Sequence, residues 1–209
     1  DFEAVGIVAS TPFVISVSST LPVKSVAEFV AYAKARPGQV MYGSGGQGST
    51  PHLCMELFQS MAGIQLVHVP YKGSVIALTD MMGGQMHATC AAAPAMPPFV
   101  QSGKVRSLGV STREPTALAP GLAPVADAVP GYELVGWYGV LAPRGTPREI
   151  VAKLNTELNR ILGLADVREK LAVLGADPLG GSPEAFGTLI RNSVAKYVKV
   201  VKDADIKVD

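Results

Sequence analysis

Seven consecutive residues carry the donors for anion chemistry: Ser44, Gly45, Gly46, Gln47, Gly48, Ser49 and Thr50, within YGSGGQGSTPHL. Hydroxyls and an amide come from the side chains. Glycines let the backbone turn its N–H groups toward one centre, and a helix starting at Pro51 adds a positive dipole end. Two nucleotide patterns overlap here. Gly43, Gly45 and Gly48 spell G-x-G-x-x-G, while Gly43, Gly48 and Thr50 fit the spacing of a phosphate-binding loop. Both fail on chemistry. A phosphate loop needs Lys where Ser49 stands. A dinucleotide site needs an acid about 20 residues on, yet none follows QLVHVP until Asp80. A hydrolase elbow, G-x-S-x-G, needs Gly where Tyr42 stands. What remains is a small anion with little formal positive charge around it. A carboxylate satisfies that better than a polyphosphate. A tight turn that binds nothing stays open as the alternative.

Other residues can be weighed beside the loop. His52, on the first helical turn, can either bond a carboxylate or brace the loop. Tyr71 lies in the turn PYKGS, at the same sheet edge, where its hydroxyl can face a ligand or pack. Lys72 reads as solvated. Trp137 and Tyr138 read as core or hinge residues rather than cleft walls. Cys54 and Cys90 have no C-x-x-C spacing and read as two small buried apolar side chains, not a disulfide framework. No His is placed to activate either one, so an enzyme is not expected. His52, His68 and His87 lack ligand spacing, so neither a metal site nor a cofactor is expected. Lys and Arg number 18 against 17 Asp and Glu, and aromatics make up 6%. Without a basic stripe or stacking platform, nucleic acid is not an expected partner. No apolar run reaches the roughly 18 residues of a membrane span. The opening DFEAVGIVAS has no basic n-region, so no signal peptide is expected within this sequence.

The elements that must position these residues alternate. AVGIVAS and FVISVSS read as two strands. Ser25 and Glu28 form a capping box for a helix that Pro37-Gly38 stops. QVMYG is a strand, and Thr50 reads as the cap of the helix behind the loop, with Gly63 ending it. QLVHV, MHATCAA and VRSLGVS are further strands, with a helix from Val75 to Met82 and a proline-interrupted helical or irregular PAMPPFVQSG between them. This βαβα order argues a parallel sheet. TREPTALAPGLAPVADAVPG reads as a long surface connection. YELVGWYGVLAP is a strand. Thr146 to Glu149 read as a second capping box, opening a helix to about Leu162. Further helices should start at Asp166 and at Ser182-Pro183. The last third is thus helix-rich with one strand, and its apolar faces need a partner to cover them.

The run YGSGGQGSTPHLCMELFQSMAGIQLVHVPYKGSVIALTDMMGGQ resembles the substrate-binding proteins of tripartite tricarboxylate transporters, the Bug (Bordetella uptake gene) family. VPYKG, W-Y-G-x-L-A-P and LGADPLGGSPE continue the resemblance along the whole chain. It implies an α/β fold of the periplasmic-binding-protein type, here with one complete lobe and the C-terminal part of a second. Residues 1–11 would be a crossover strand, 12–111 lobe 2 with the Gly-rich loop, 112–131 a linker, and 132–209 part of lobe 1. The family's N-terminal third would be lacking. Also implied are a periplasmic location, a small carboxylate as ligand and the membrane components of such a transporter as partners. Carried over by position, Ser44, Gly46, Gln47, Ser49 and Thr50 would hold the carboxylate, and the candidate ligand-binding set adds Gly45, Gly48, His52, Tyr71, Ala91 and Ala92. Ala91 stands where family members often carry an acid, which implies a ligand without an amine. Incomplete lobe 1 implies dimerisation or a domain swap. A non-transport interaction module is the alternative.

Overall fold

The computed structural model describes residues 1–206. The elements, in chain order, are β1 (Phe2–Ser18), α1 (Val26–Lys34), β2 (Val40–Ser44), α2 (Thr50–Ala62), β3 (Leu66–Pro70), α3 (Ser74–Met82) and β4 (Ala88–Ala92). They continue with α4 (Pro97–Gln101), β5 (Val105–Val110), β6 (Val135–Pro143), α5 (Arg148–Leu162), α6 (Ala165–Val173), β7 (Asp177–Pro178) and α7 (Pro183–Asp203). The chain forms two compact units. One comprises Asp1–Thr11 with Gly136–Lys199, the other Pro12–Val135 with the chain's end from Val200.

The two strands expected at the start are one 17-residue strand. Pro12, which looks like a break, lies between two ladders. Ala9 and Ser10 pair with β7, and Phe13 onward pairs with β4. A proline is tolerated where no ladder needs its missing N–H.

In the second unit the strand order is β3-β2-β4-β1-β5. β2 runs parallel to β3 and β4, whereas β1 runs antiparallel to β4 and β5. The sheet is therefore mixed rather than parallel throughout, because the β1 strand enters from the opposite direction. Ser25 caps α1 by accepting the Glu28 N–H at 3.2 Å, but Glu28 returns its bond to the Lys24 N–H at 2.6 Å. Phe29 of α1 stacks on Phe58 of α2 at 6.0 Å, and Tyr132 meets Phe58 edge-on. A second cluster on Leu78, Met81 and Met86 includes Val14 and Val110. Residues 112–131 do not simply cross the surface: Ala119, Val125 and Val129 are buried.

Cys54 of α2 and Cys90 of β4 form a disulfide, contrary to the reading of two independent apolar thiols. Thirty-six residues separate them in sequence, yet their Cα atoms are 6.3 Å apart. Only the packing of α2 on β4 brings them into bonding range.

In the first unit, β6 and β7 pair with β1. Trp137 donates to Ser193 Oγ at 3.2 Å and meets Phe186 edge-on. Both serve the interior of this unit. Asn159 closes the Gly180-Gly181 turn, accepting the Gly181 N–H at 2.7 Å and donating to its carbonyl at 3.1 Å. The second capping box is not formed. Pro147 is the cap residue of α5, and the Thr146 hydroxyl donates to the Pro143 carbonyl instead. Several apolar side chains of this unit stay exposed, among them Tyr138, Val173, Leu174, Val194 and Val198.

Candidate functional site

The Gly-rich loop joins the end of β2 to α2. Two of its glycines are required by space and backbone. A Cβ on Gly43 would lie 2.8 Å from Ala77 Cβ, so its absence lets α3 approach β2. Gly46 adopts φ of 124°, a region costly to side chains. The helix begins one residue earlier than expected. Ser49, not Thr50, is its cap residue, and Pro51 follows Thr50 in the first turn.

The structure divides the loop's donors into used and unused. Ser44, expected to bind ligand, is fully buried. Its Oγ accepts the Gly46 N–H at 3.1 Å and lies 2.7 Å from His68 Nε2. The Ser49 hydroxyl donates to the Gly46 carbonyl at 2.7 Å. The Gly48 N–H donates to His52 Nδ1 at 3.0 Å. These groups shape the loop. By contrast, Gln47 and Thr50 are exposed, and their side chains have no hydrogen-bond partner among the described residues. In the first turn of α2 the Thr50 and His52 N–H groups have no intrahelical carbonyl to take them, whereas the Ser49 N–H already donates to the Gly46 carbonyl at 3.3 Å and Pro51 has none. Gly45 is held against α3, where a Cβ would come 3.0 Å from Ser74 Oγ.

Beneath the loop lies a polar layer that periodicity did not reveal. Glu56 of α2 is its hub. It accepts from the Tyr42 hydroxyl and, at 2.5 Å, from Gln59 Nε2. His52 Nε2 lies 3.6 Å from the same carboxylate, an electrostatic contact rather than a full hydrogen bond. The His52 and His68 rings stack at 3.7 Å, and Tyr42 stacks on the other side of His68 at 4.9 Å. Burial pushes the Glu56 carboxyl up, but His52 beside it and the bonds from Tyr42 and Gln59 outweigh that and hold it below its ordinary value. Burial, and secondarily His52, lowers His68 to about 4. Burial and then the bond to Glu56 push the Tyr42 phenol up. Two polar residues at i and i+4 on an otherwise apolar helix face, His52 and Glu56, were the available signal.

The remaining expected residues are placed as follows. The Tyr71 N–H donates to the Ser44 carbonyl at 3.1 Å, putting Tyr71 beside the loop. Its hydroxyl is committed to Asp80 Oδ2 at 2.8 Å, and burial with that bond raises it to about 12. Ala91 is fully buried in the Leu78–Met81 cluster, so its side chain is core. Ala92 is half-buried at the end of β4.

A strand–glycine loop–helix cradle on a mixed sheet covered by helices is an α/β fold of the periplasmic-binding-protein type. The family model described as "Tripartite tricarboxylate transporter family receptor" matches residues 1–206, and the chain belongs to that family, TctC. Among its relatives is the UPF0065 protein in the tcbD-tcbE intergenic region of Pseudomonas sp. (strain P51). It is 32% identical over 203 residues, which cover 96% of this chain and 60% of that protein. The chain thus spans about three fifths of that relative's length. A solved structure of an R. palustris protein with adipate is 42% identical, with a TM-score of 0.85, covering 99% of this chain and 69% of that one. The periplasmic binding protein BugD is 28% identical, with a TM-score of 0.81 and coverage of 99% and 70%. No helix among the described residues is long and apolar enough to cross a membrane.

Proposed function

We propose that this chain captures a small carboxylate at the loop from Ser44 to Thr50, in the periplasm, for the membrane components of a tripartite tricarboxylate-type transporter. The observation that carries the reading is the division of the loop. Ser44, Gly48 and Ser49 hold its shape, while Gln47, Thr50 and the first turn of α2 keep their donors for a ligand. A carboxylate held by several N–H and O–H donors needs no counter-ion. The adipate of the R. palustris relative is a ligand of that chemistry. The Cys54–Cys90 disulfide supports an oxidising compartment, as the periplasm is. The role is binding rather than catalysis.

The test is calorimetry against mono-, di- and tricarboxylates, amino acids, ATP and NAD. Heat is expected from a carboxylate. Gln47→Ala with Thr50→Ala is expected to weaken it about a hundredfold, as loss of two charge-assisted hydrogen bonds implies. Heat from ATP or NAD alone, or no effect of the double variant on carboxylate binding, would overturn the reading.

The exposed apolar residues of the first unit favour a second reading, an interaction module that pairs with another copy or exchanges segments with it. That reading expects a concentration-dependent dimer by light scattering at tens of micromolar. A monodisperse monomer there sinks it.

A further inference from the structure

We infer that His52 is the positioning residue of the carboxylate cradle, acting through a neutral ring whose Nδ1 accepts the Gly48 N–H. The inference rests on the carboxylate reading above and concerns what makes that site hold its shape. A histidine beside an anion usually lends it a proton. This one has none to lend. Nδ1 receives a backbone N–H at 3.0 Å, so it carries a lone pair on that side. A lone pair repels a carboxylate. The proton therefore sits on Nε2, which faces Glu56 Oε1 at 3.6 Å. Nδ1 is taken by the loop, Nε2 faces Glu56 and the residue is 3% exposed, so His52 does not touch the ligand.

Its effect is on the loop instead. The bond ties the last glycine of the loop to the first turn of α2, four residues on. Gly48 has φ of 67°, and the tie holds its N–H on the His52 ring. The ring is fixed from three elements. Glu56 faces it from α2 itself, the His68 ring stacks on it from β3, and Tyr42 of β2 holds both Glu56 and His68. A proton on Nδ1 would set two N–H groups against each other and break the tie. The loop's geometry is thereby conditional on one tautomer of one residue.

The two ring nitrogens can be tested separately, because an Asn amide oxygen sits near the place of Nδ1 and a Gln amide near that of Nε2. In His52→Asn, His52→Gln and His52→Leu, adipate is the calorimetric probe. Asn is expected to bind within about threefold of the wild type, and Gln and Leu about tenfold or more weaker, the effect of one hydrogen bond. Thermal melts of all three separate folding from binding. Nitrogen-15 NMR of the wild type is expected to show His52 neutral with its proton on Nε2. The Gly48 amide is expected to be protected from exchange in the wild type and His52→Asn, and unprotected in His52→Leu. Adipate binding by His52→Leu at wild-type strength, or a proton on Nδ1 near neutral pH, overturns the inference while leaving the carboxylate reading intact. If the wild type binds no carboxylate, that reading falls, and the tautomer and the Gly48 exchange still decide whether His52 sets the loop.

Discussion

Reducing the Cys54–Cys90 disulfide is expected to lower the stability of the unit carrying the Gly-rich loop by about 3–4 kcal/mol, the loop-closure entropy of a 36-residue separation. The bridge joins α2, whose first turn completes the loop, to β4, the strand beside β2. Without it the unfolded chain regains freedom, and α2 keeps only its packing against the sheet. The sulfurs sit in a buried setting that also uses Tyr132, whose hydroxyl lies 3.1 Å from Cys54 Sγ and donates to the Cys54 carbonyl at 3.2 Å. Urea denaturation with and without reductant measures the loss, with thiol titration to prove full reduction. Cys54→Ala with Cys90→Ala should show the same loss and no further response to reductant. Equal midpoints for the oxidised and fully reduced protein would sink the expectation.

Acid is expected to destabilise the same unit through the layer under the loop, in two steps of the same sign. His68 is held at about 4 in the folded chain, against 6.5 ordinarily. Between those values the unfolded chain binds a proton that the folded chain refuses, so stability falls as the pH drops from about 6.5 toward about 4. Glu56 is depressed when folded. Its contribution is complete above the pKa of the unfolded carboxyl, and it is lost as the pH falls through the lower folded value. The two windows join into one continuous loss on the acid side. His68 is only half-buried, so water screens part of its share. Denaturation midpoints at pH 7, 5.5 and 4.5 measure the slope. His68→Gln keeps a polar partner for Ser44 and should flatten the upper part while leaving the Glu56 part. A wild-type midpoint unchanged from pH 7 to 4.5 would remove His68 as a source of pH dependence.

The helices were legible where local signals repeat. Leu53, Leu57, Phe58 and Met61 carry the helical period of α2, of which Leu57 and Phe58 are buried, Leu53 is half-buried and Met61 is exposed, and Gly63 ends the helix in the left-handed conformation that glycine permits. Ser182-Pro183 opens α7, and the Ser182 hydroxyl accepts the Ala185 N–H at 3.2 Å. Thr146 to Glu149 carried the same kind of signal and misled, because the Thr146 hydroxyl found a closer partner in the Pro143 carbonyl at 2.7 Å. Ser-Thr-Pro at positions 10–12 looked like a strand break, since sequence does not tell which side of a strand a ladder occupies.

The candidate site divides along the same line. The run from Ser44 to Thr50 announced an anion cradle by composition and by the helix behind it, because glycines, hydroxyls and a helix start act over a few residues. The absent lysine and the absent acid excluded nucleotides on equally local grounds. Which donors remain for a ligand was only partly local, since the Ser49 and Gly48 bonds close within four residues. Ser44 looked like a ligand group until His68, 24 residues on, reached its hydroxyl. Ala91 looked like a pocket wall until β4 turned it into the core with Leu78 and Met81. Cys54 and Cys90 looked independent until α2 lay on β4. The sequence by itself determined the elements and the chemistry of the loop, because propensity and spacing act within a turn or two of chain. The tertiary structure decided the disulfide, the His52–His68–Glu56 layer and the free donors, because each depends on distances between strands and helices far apart along the chain.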